Sequence, residues 1–443
     1  IRRLIDIIIF LGTQEQALRG HDESQNSLNQ GNFKELANLL SKFDDKFKKF
    51  LDESSVFSGL PKTIQNDLID SINKIISQII SAEIKQSPCF SWQVDETTDI
   101  QCLSQLSVIF RYVTNGKIVE RFMGFFNVSE GRRANDLFQM LTNTFQDFDL
   151  ANKLIGQTYD GASVMSGELN GLQSKIKNVA PQALFIHCYA HRMNLILQDS
   201  ASKIKECRIF FANVNGLSAF FSKSTKRTKV LDEVGTARIP SGSDTRWNYK
   251  SRTINVIINE RSELLEVFEH ILNSDEFSRD QESIRAAVGF KNMLEDFTFL
   301  FLLNTFYIIF EQTDAIFNIF QSKFSDVNYC KNRIQNLLAT LKNFREEDNY
   351  FQKIYNDVCN IVGGPIKKRR IDHDSTTYFR RLYKEILDLI MNQIDIRFKD
   401  LEFLAFLDLL DKSKFTLFKK KFPHDLLDLL LKTYPKLFIK NIL

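Results

Sequence analysis

The chain predicts an α/β fold joined to an all-α region: a mixed sheet with helices on its faces, a helical segment before it and a long helical region after it. Three observations carry this. Apolar residues recur at helical spacing through residues 1–86. From residue 90 to 187 short strand-like runs alternate with helical ones. Beyond about residue 205 the pattern is helical again. The corresponding domains are 1–86, 87–205 and 206–443.

In the first segment Leu36, Leu39, Leu40, Phe43 and Phe47 share helical spacing, as do Leu68, Ile72, Ile75, Ile76, Ile79 and Ile80. Strands are predicted at "FSWQVDE" (90–96), "LSVIFRYV" (106–113) and "IVERFMGFFNV" (118–128). Asn115-Gly116 joins the last two. Both central residues of a type I′ turn need positive φ, which this pair accepts. Leu137, Phe138, Leu141, Phe145 and Phe148 mark a helix, "LIGQTY" (154–159) a fourth strand, and Leu169, Leu172, Ile176 and Val179 a helix stopped by Pro181. "ALFIH" (183–187) is the fifth strand. Hairpins followed by helical crossovers give a mixed sheet. Helices then fill 249–272, 281–322, 327–346 and 376–398. A chain opening on Ile1 and closing on "FIKNIL" is expected to be part of a longer protein.

Composition narrows the function classes. The formal charge is +3, from 58 basic and 55 acidic residues, so nucleic-acid binding must come from local patches. Forty phenylalanines against two tryptophans will dominate the core. Six scattered cysteines form no CxxC pair and point to a reducing compartment. The apolar start superficially resembles a signal peptide, but Asp6 interrupts it and no small-residue cleavage site follows, so none is expected there. "FLFLLNTFYIIF" (299–310) is too short to span a bilayer and contains Asn304. No membrane role is expected.

The chemistry gathers on two carboxylates. In a sheet of this order the first strand is central and the fourth lies beside it. Asp95 at the end of the first and Asp160 at the end of the fourth would then be neighbours. Mg²⁺ or Mn²⁺ would relieve their repulsion, since hard cations take carboxylate oxygens and keep several waters. Two such ions about 4 Å apart serve phosphodiester chemistry. Gly161 and Ala162 would leave room for a nucleic-acid backbone. The alternative is that each Asp only closes a turn. Glu96 and Asp99 compete with Asp95 for the site-facing position.

Several stretches resemble the hAT superfamily of DNA transposases, in the branch related to zinc finger MYM-type proteins and the transposon-derived repressor of the inhibitor of the protein kinase. They are "ALRGHDES" (17–24) with "GNFKELANLL" (31–40), "VDETTDI" (94–100) with "QLSVIFRYV", "YDGASVMSGELNGLQSKIK" (159–177), "HCYAHRMNLIL" (187–197), "FFSKSTKR" (220–227) and "SDTRW" (243–247). The resemblance covers roughly residues 1–320. It implies an RNase H-like core interrupted by a helical insertion domain, metal-dependent cleavage and transfer of DNA at transposon ends, a nuclear location and homo-oligomerisation through a C-terminal dimerisation segment. Asp95 and Asp160 match the first two acids of the family's DDE triad. Its Glu is expected beyond residue 443, so the chain by itself is expected not to cut DNA. A catalytically silent, domesticated DNA- or protein-binding module is the rival expectation. An unrelated RNase H-like nuclease is a third, for which Glu168 is poorly placed, opening the helix after the fourth strand.

Further candidates surround this pair. Cys188 and His191 form a C-x-x-H that the family carries beside its catalytic centre, although two ligands are too few for a closed zinc site. They read as supporting or packing residues. Arg246 and Trp247 can hold a phosphate and stack on an unpaired base, or anchor the following helix with Asp244 as its cap. Lys223, Lys226 and Arg227 form a basic cluster suited to phosphates. "KKRR" (367–370) reads as a solvated loop or a nuclear localisation signal.

Overall fold

The computed structural model describes residues 1–24, 26–53, 59–240, 247–321, 327–364, 375–435 and 437. They form two compact units, Ile1–Gln157 with Leu172–Leu184, and Thr158–Gly171 with Phe185–Leu443.

The first unit opens on α1 (Arg2–Thr13), whose Leu4, Ile7, Ile8 and Leu11 lie one turn apart on a single buried face. They pack on Phe33 and Ala37 of α2 (Asn32–Ser41) and Phe47 of α3 (Asp45–Glu53). The α1–α2 loop closes where two glycines meet. Gly31 has φ +92°, and a Cβ there would lie 2.2 Å from the Gly20 nitrogen. Gly31→Ala is expected to cost about 1–3 kcal/mol from the backbone conformation alone. Chemical denaturation of the variant measures this.

Helix α4 (Lys62–Gln86) forms where helical spacing places one. Its Ile75, Ile76 and Ile79 are nonetheless 59%, 49% and 55% exposed. Leu68 and Ile72 pack on the core of α1–α3. Gln65 is buried with Nε2 donating to Leu60 O at 2.9 Å, and Ile84 is buried at the far end.

Strands β1 (Phe90–Thr98), β2 (Ser104–Thr114) and β3 (Lys117–Asn127) are antiparallel neighbours. Asn115 and Gly116 take φ of 50° and 72°, as the hairpin requires. Along β1 Phe90, Trp92 and Val94 point to the core, facing Tyr112, Phe110 and Val108 of β2. The turn after α5 (Ala134–Thr144) completes this core, with the Phe145 ring 4.9 Å from that of Phe110. Short α6 (Leu150–Lys153) leads into β4 (Leu154–Tyr159). Then come α7 (Ser163–Ser166), α8 (Leu172–Val179) and β5 (Leu184–His187). The sheet order among the described residues is β3-β2-β1-β4-β5.

The second unit is helical beyond β5: α9 (Tyr189–Lys203), α10 (Lys205–Ser222), α11 (Thr225–Val234), α12 (Trp247–Asn259), α13 (Arg261–Asn273), α14 (Gln281–Leu294), α15 (Phe297–Phe320), α16 (Val327–Glu346), α17 (Asp348–Val362), α18 (Ser375–Phe398), α19 (Phe415–Lys420) and α20 (His424–Thr433). Two stretches expected as single helices are each broken in two. One break falls at Glu260; the other precedes Asp296, whose carboxylate caps α15 by accepting from Phe299 N–H at 2.8 Å. The segment 399–410 is a run of 3₁₀ turns. Helix α15 is apolar around most of its circumference because it is packed by α9, α10, α12, α16 and α17. No single helix among the described residues is long and apolar enough to cross a membrane. Helices α14 and α15 reach that length only together, bent by 68°.

Candidate active site

Asp95 lies within β1, three residues before its end, and not at the strand tip that the sequence reading assumes. It is exposed, on the face opposite Trp92 and Val94, and stands across from Ser107, whose hydroxyl donates to Asp95 O at 3.2 Å. Its two acidic neighbours each have partners. Glu96 pairs with Arg132. Asp99 closes the β1–β2 turn, accepting from Leu103 N–H at 2.8 Å and from Gln105 Nε2 at 3.2 Å.

Asp160 follows β4 directly. Its Oδ1 accepts the Ala162 N–H at 3.2 Å, so this carboxylate does close a turn. Gly161 has a close neighbour within the chain. A Cβ there would lie 2.5 Å from His187 Cε1 and 2.8 Å from its Nε2. The glycine thus makes room for an imidazole of its own chain.

That imidazole is a functional candidate the sequence did not reveal. His187 ends β5, is only 8% exposed, and its Nε2 has no hydrogen-bond partner among the described residues. Burial, and then the positive fields of Arg192, His191 and Arg397, push its pKa down to about 3. A lone histidine at a strand end carries no local signal of this. Next to it, Cys188 N–H donates to Tyr159 O at 3.1 Å, and the His191 ring lies 5.4 Å from that of His187. Arg192 is buried and donates to the Arg397 carbonyl, while Arg397 pairs with Asp199. No group of three or more His, Cys, Asp and Glu side chains is arranged to hold a metal among the described residues.

Two members of the basic cluster lie over aromatic rings. Lys226 Nζ sits 4.0 Å from the Phe277 ring centroid, and the Arg227 guanidinium 4.3 Å from that of Phe220. Lys223, just past α10, is exposed. Glu168 is also exposed, in the turn between α7 and α8 and not at the start of a helix. Trp247 begins α12. Asp244, Arg246 and "KKRR" lie outside the described residues.

The DUF4371 family, described as "ZMYM1/FAM200, RNase-like domain", matches residues 1–171, a span that includes Asp95 and Asp160. The "52 kDa repressor of the inhibitor of the protein kinase" of Mus musculus is 21% identical over 381 residues, covering 82% of this chain and 50% of the relative. Its counterpart in Homo sapiens is 21% identical over 383 residues, with the same coverage. "Zinc finger BED domain-containing protein RICESLEEPER 2" of Oryza sativa subsp. japonica is 23% identical over 215 residues, 45% of this chain and 29% of the relative. The chain spans about half the length of the first two relatives. Residues 1–171 are thus similar to the ZMYM1/FAM200 RNase-like domain family, and most of the chain is similar to the two repressor relatives.

Proposed function

We propose that this chain contributes the core of a hAT-like transposase, with Asp95 and Asp160 holding Mg²⁺ or Mn²⁺ for DNA strand cleavage and transfer. One observation carries the reading. Strand β4 neighbours β1 in the sheet, Asp160 directly follows β4, and Asp95 lies in β1, all within the span that matches an RNase-like family.

The donors suit a hard cation. Asp160 uses one oxygen in its turn, and its other oxygen has no protein partner among the described residues. Two carboxylates with water and phosphate oxygens meet the needs of Mg²⁺. A bound ion would supply Lewis-acid activation of the phosphodiester. The chain's own part is to orient the acids: the β1–β2 pairing sets Asp95, and the turn after β4 sets Asp160. DNA is the proposed partner, at transposon ends and in the nucleus, with Lys223, Arg246 and Trp247 as its contacts. Lys226 and Arg227, which also lie over Phe277 and Phe220, belong to the same proposed contact set. Homo-oligomerisation is part of the same proposal.

A second reading is a catalytically silent, domesticated nuclear binding module. It is favoured by the word "repressor" in the names of two relatives.

Mn²⁺ titration followed by electron paramagnetic resonance separates the two. On the first reading Asp95→Ala and Asp160→Ala each weaken Mn²⁺ binding at least about tenfold, the usual scale for disturbing a metal site. Equal binding by the wild type and both variants excludes the metal site and leaves the second reading.

A further inference from the structure

We propose that His187 is a positioning residue for Asp160: its imidazole fills the space that a side chain at Gly161 would need, and so holds the turn carrying the carboxylate. The inference rests on Asp160 being a metal ligand, as proposed above.

Asp160 has few means of its own to stay in place. It lies past the last residue of β4, half-exposed, and accepts the Ala162 N–H in a turn. The residues on either side of it are braced instead. Before it, Tyr159 O accepts from Cys188 N–H at 3.1 Å, and the Tyr159 ring stacks on Phe185 at 5.8 Å. After it, Gly161 rests on the His187 imidazole so closely that one methyl group would overlap the ring, at 2.5 Å from Cε1. Contacts below about 3 Å cannot be absorbed without something moving.

The ring itself has little freedom. It is 8% exposed and lies between Phe185, at 6.5 Å, and His191, at 5.4 Å between centroids. Its Nε2, which with Cε1 faces Gly161, has no hydrogen-bond partner among the described residues. The imidazole therefore acts on the turn by contact and shape, and not through a hydrogen bond. Groups just behind a metal ligand commonly set its orientation in this way.

Shape complementarity of this kind is tested by exchanging volume across the contact. The set is His187→Ala, Gly161→Ala and the double variant, each checked for folding by circular dichroism. Two quantities are read: Mn²⁺ affinity, and hydrogen exchange at the Ala162 amide, which the Asp160 carboxylate holds. Each single variant is expected to weaken Mn²⁺ binding about 10- to 100-fold and to speed Ala162 exchange. In the double variant the new methyl enters the space the ring has left, so both readouts return toward wild type. A residue with only a structural role would lower stability without this rescue.

Asp160→Ala sets the baseline. If wild type binds Mn²⁺ and Asp160→Ala does not, while His187→Ala leaves affinity and Ala162 exchange unchanged, the positioning role is overturned and the metal reading stands. If wild type and Asp160→Ala bind Mn²⁺ equally, the metal reading fails and the positioning role fails with it. A His187→Ala chain that does not fold is replaced by Gly161→Ala, which keeps the ring. Unchanged affinity and exchange in that variant overturn the proposal as well.

Discussion

Trp92→Ala is expected to destabilise the sheet-bearing unit by about 3–5 kcal/mol, the cost of deleting a large aromatic from a packed core. Trp92 is 1% exposed at the middle of β1. Its ring lies 5.9 Å from that of Phe110 and 6.4 Å from that of Phe145, so one truncation opens a void between strand and helix layers. The next residue is the control. Gln93 is exposed on the other face, and Gln93→Ala is expected to change stability by no more than about 0.5 kcal/mol. Urea denaturation of both variants measures the contrast. A Trp92→Ala cost below that of Gln93→Ala would mean that the two faces are assigned the wrong way round.

Acid is expected to act through His187. Its folded pKa, about 3, lies below the value near 6.5 that it has when unfolded. Between these values the unfolded chain binds the extra proton, so stability falls as pH falls through that window. The loss begins below about pH 6.5 and levels off near pH 3, with a total of a few kcal/mol. Carboxylates also titrate below about pH 5, so the clean interval is pH 6.5 to 5, where His187 alone costs about 2 kcal/mol. Wild type should lose that much more than His187→Asn across the interval. Parallel curves would mean that the imidazole is not held neutral.

Local pattern carried much of the fold. Strict alternation in β1 and β2, with Asn-Gly between β2 and β3, is a property of neighbouring residues and can be read directly. The five strands stand within two residues of their expected limits. What escaped depends on contacts distant in sequence. Helical spacing in α4 shows that apolar residues share a face, but not that anything covers it, and Ile75, Ile76 and Ile79 remain exposed. Continuous apolar spacing also hid the breaks at Glu260 and Asp296, where capping overrides the period.

The candidate site was legible to the same extent. Asp95 and Asp160 stand out because an acid ends or follows an apolar run. The reason for Gly161 does not, since His187 is 26 positions away in the chain. Arg192 meets Arg397 across an even longer separation, which leaves no local trace. Lys226 and Arg227 stand out in the sequence as a basic cluster, but the phenylalanines beneath them, Phe277 and Phe220, leave no trace there.

The most direct test is anomalous diffraction at the manganese edge from crystals soaked in Mn²⁺. The expected result is a peak about 2.0–2.3 Å from a carboxylate oxygen of both Asp95 and Asp160. A structure in which these two groups face opposite sides of the sheet, or in which manganese appears only elsewhere, would contradict the proposed site.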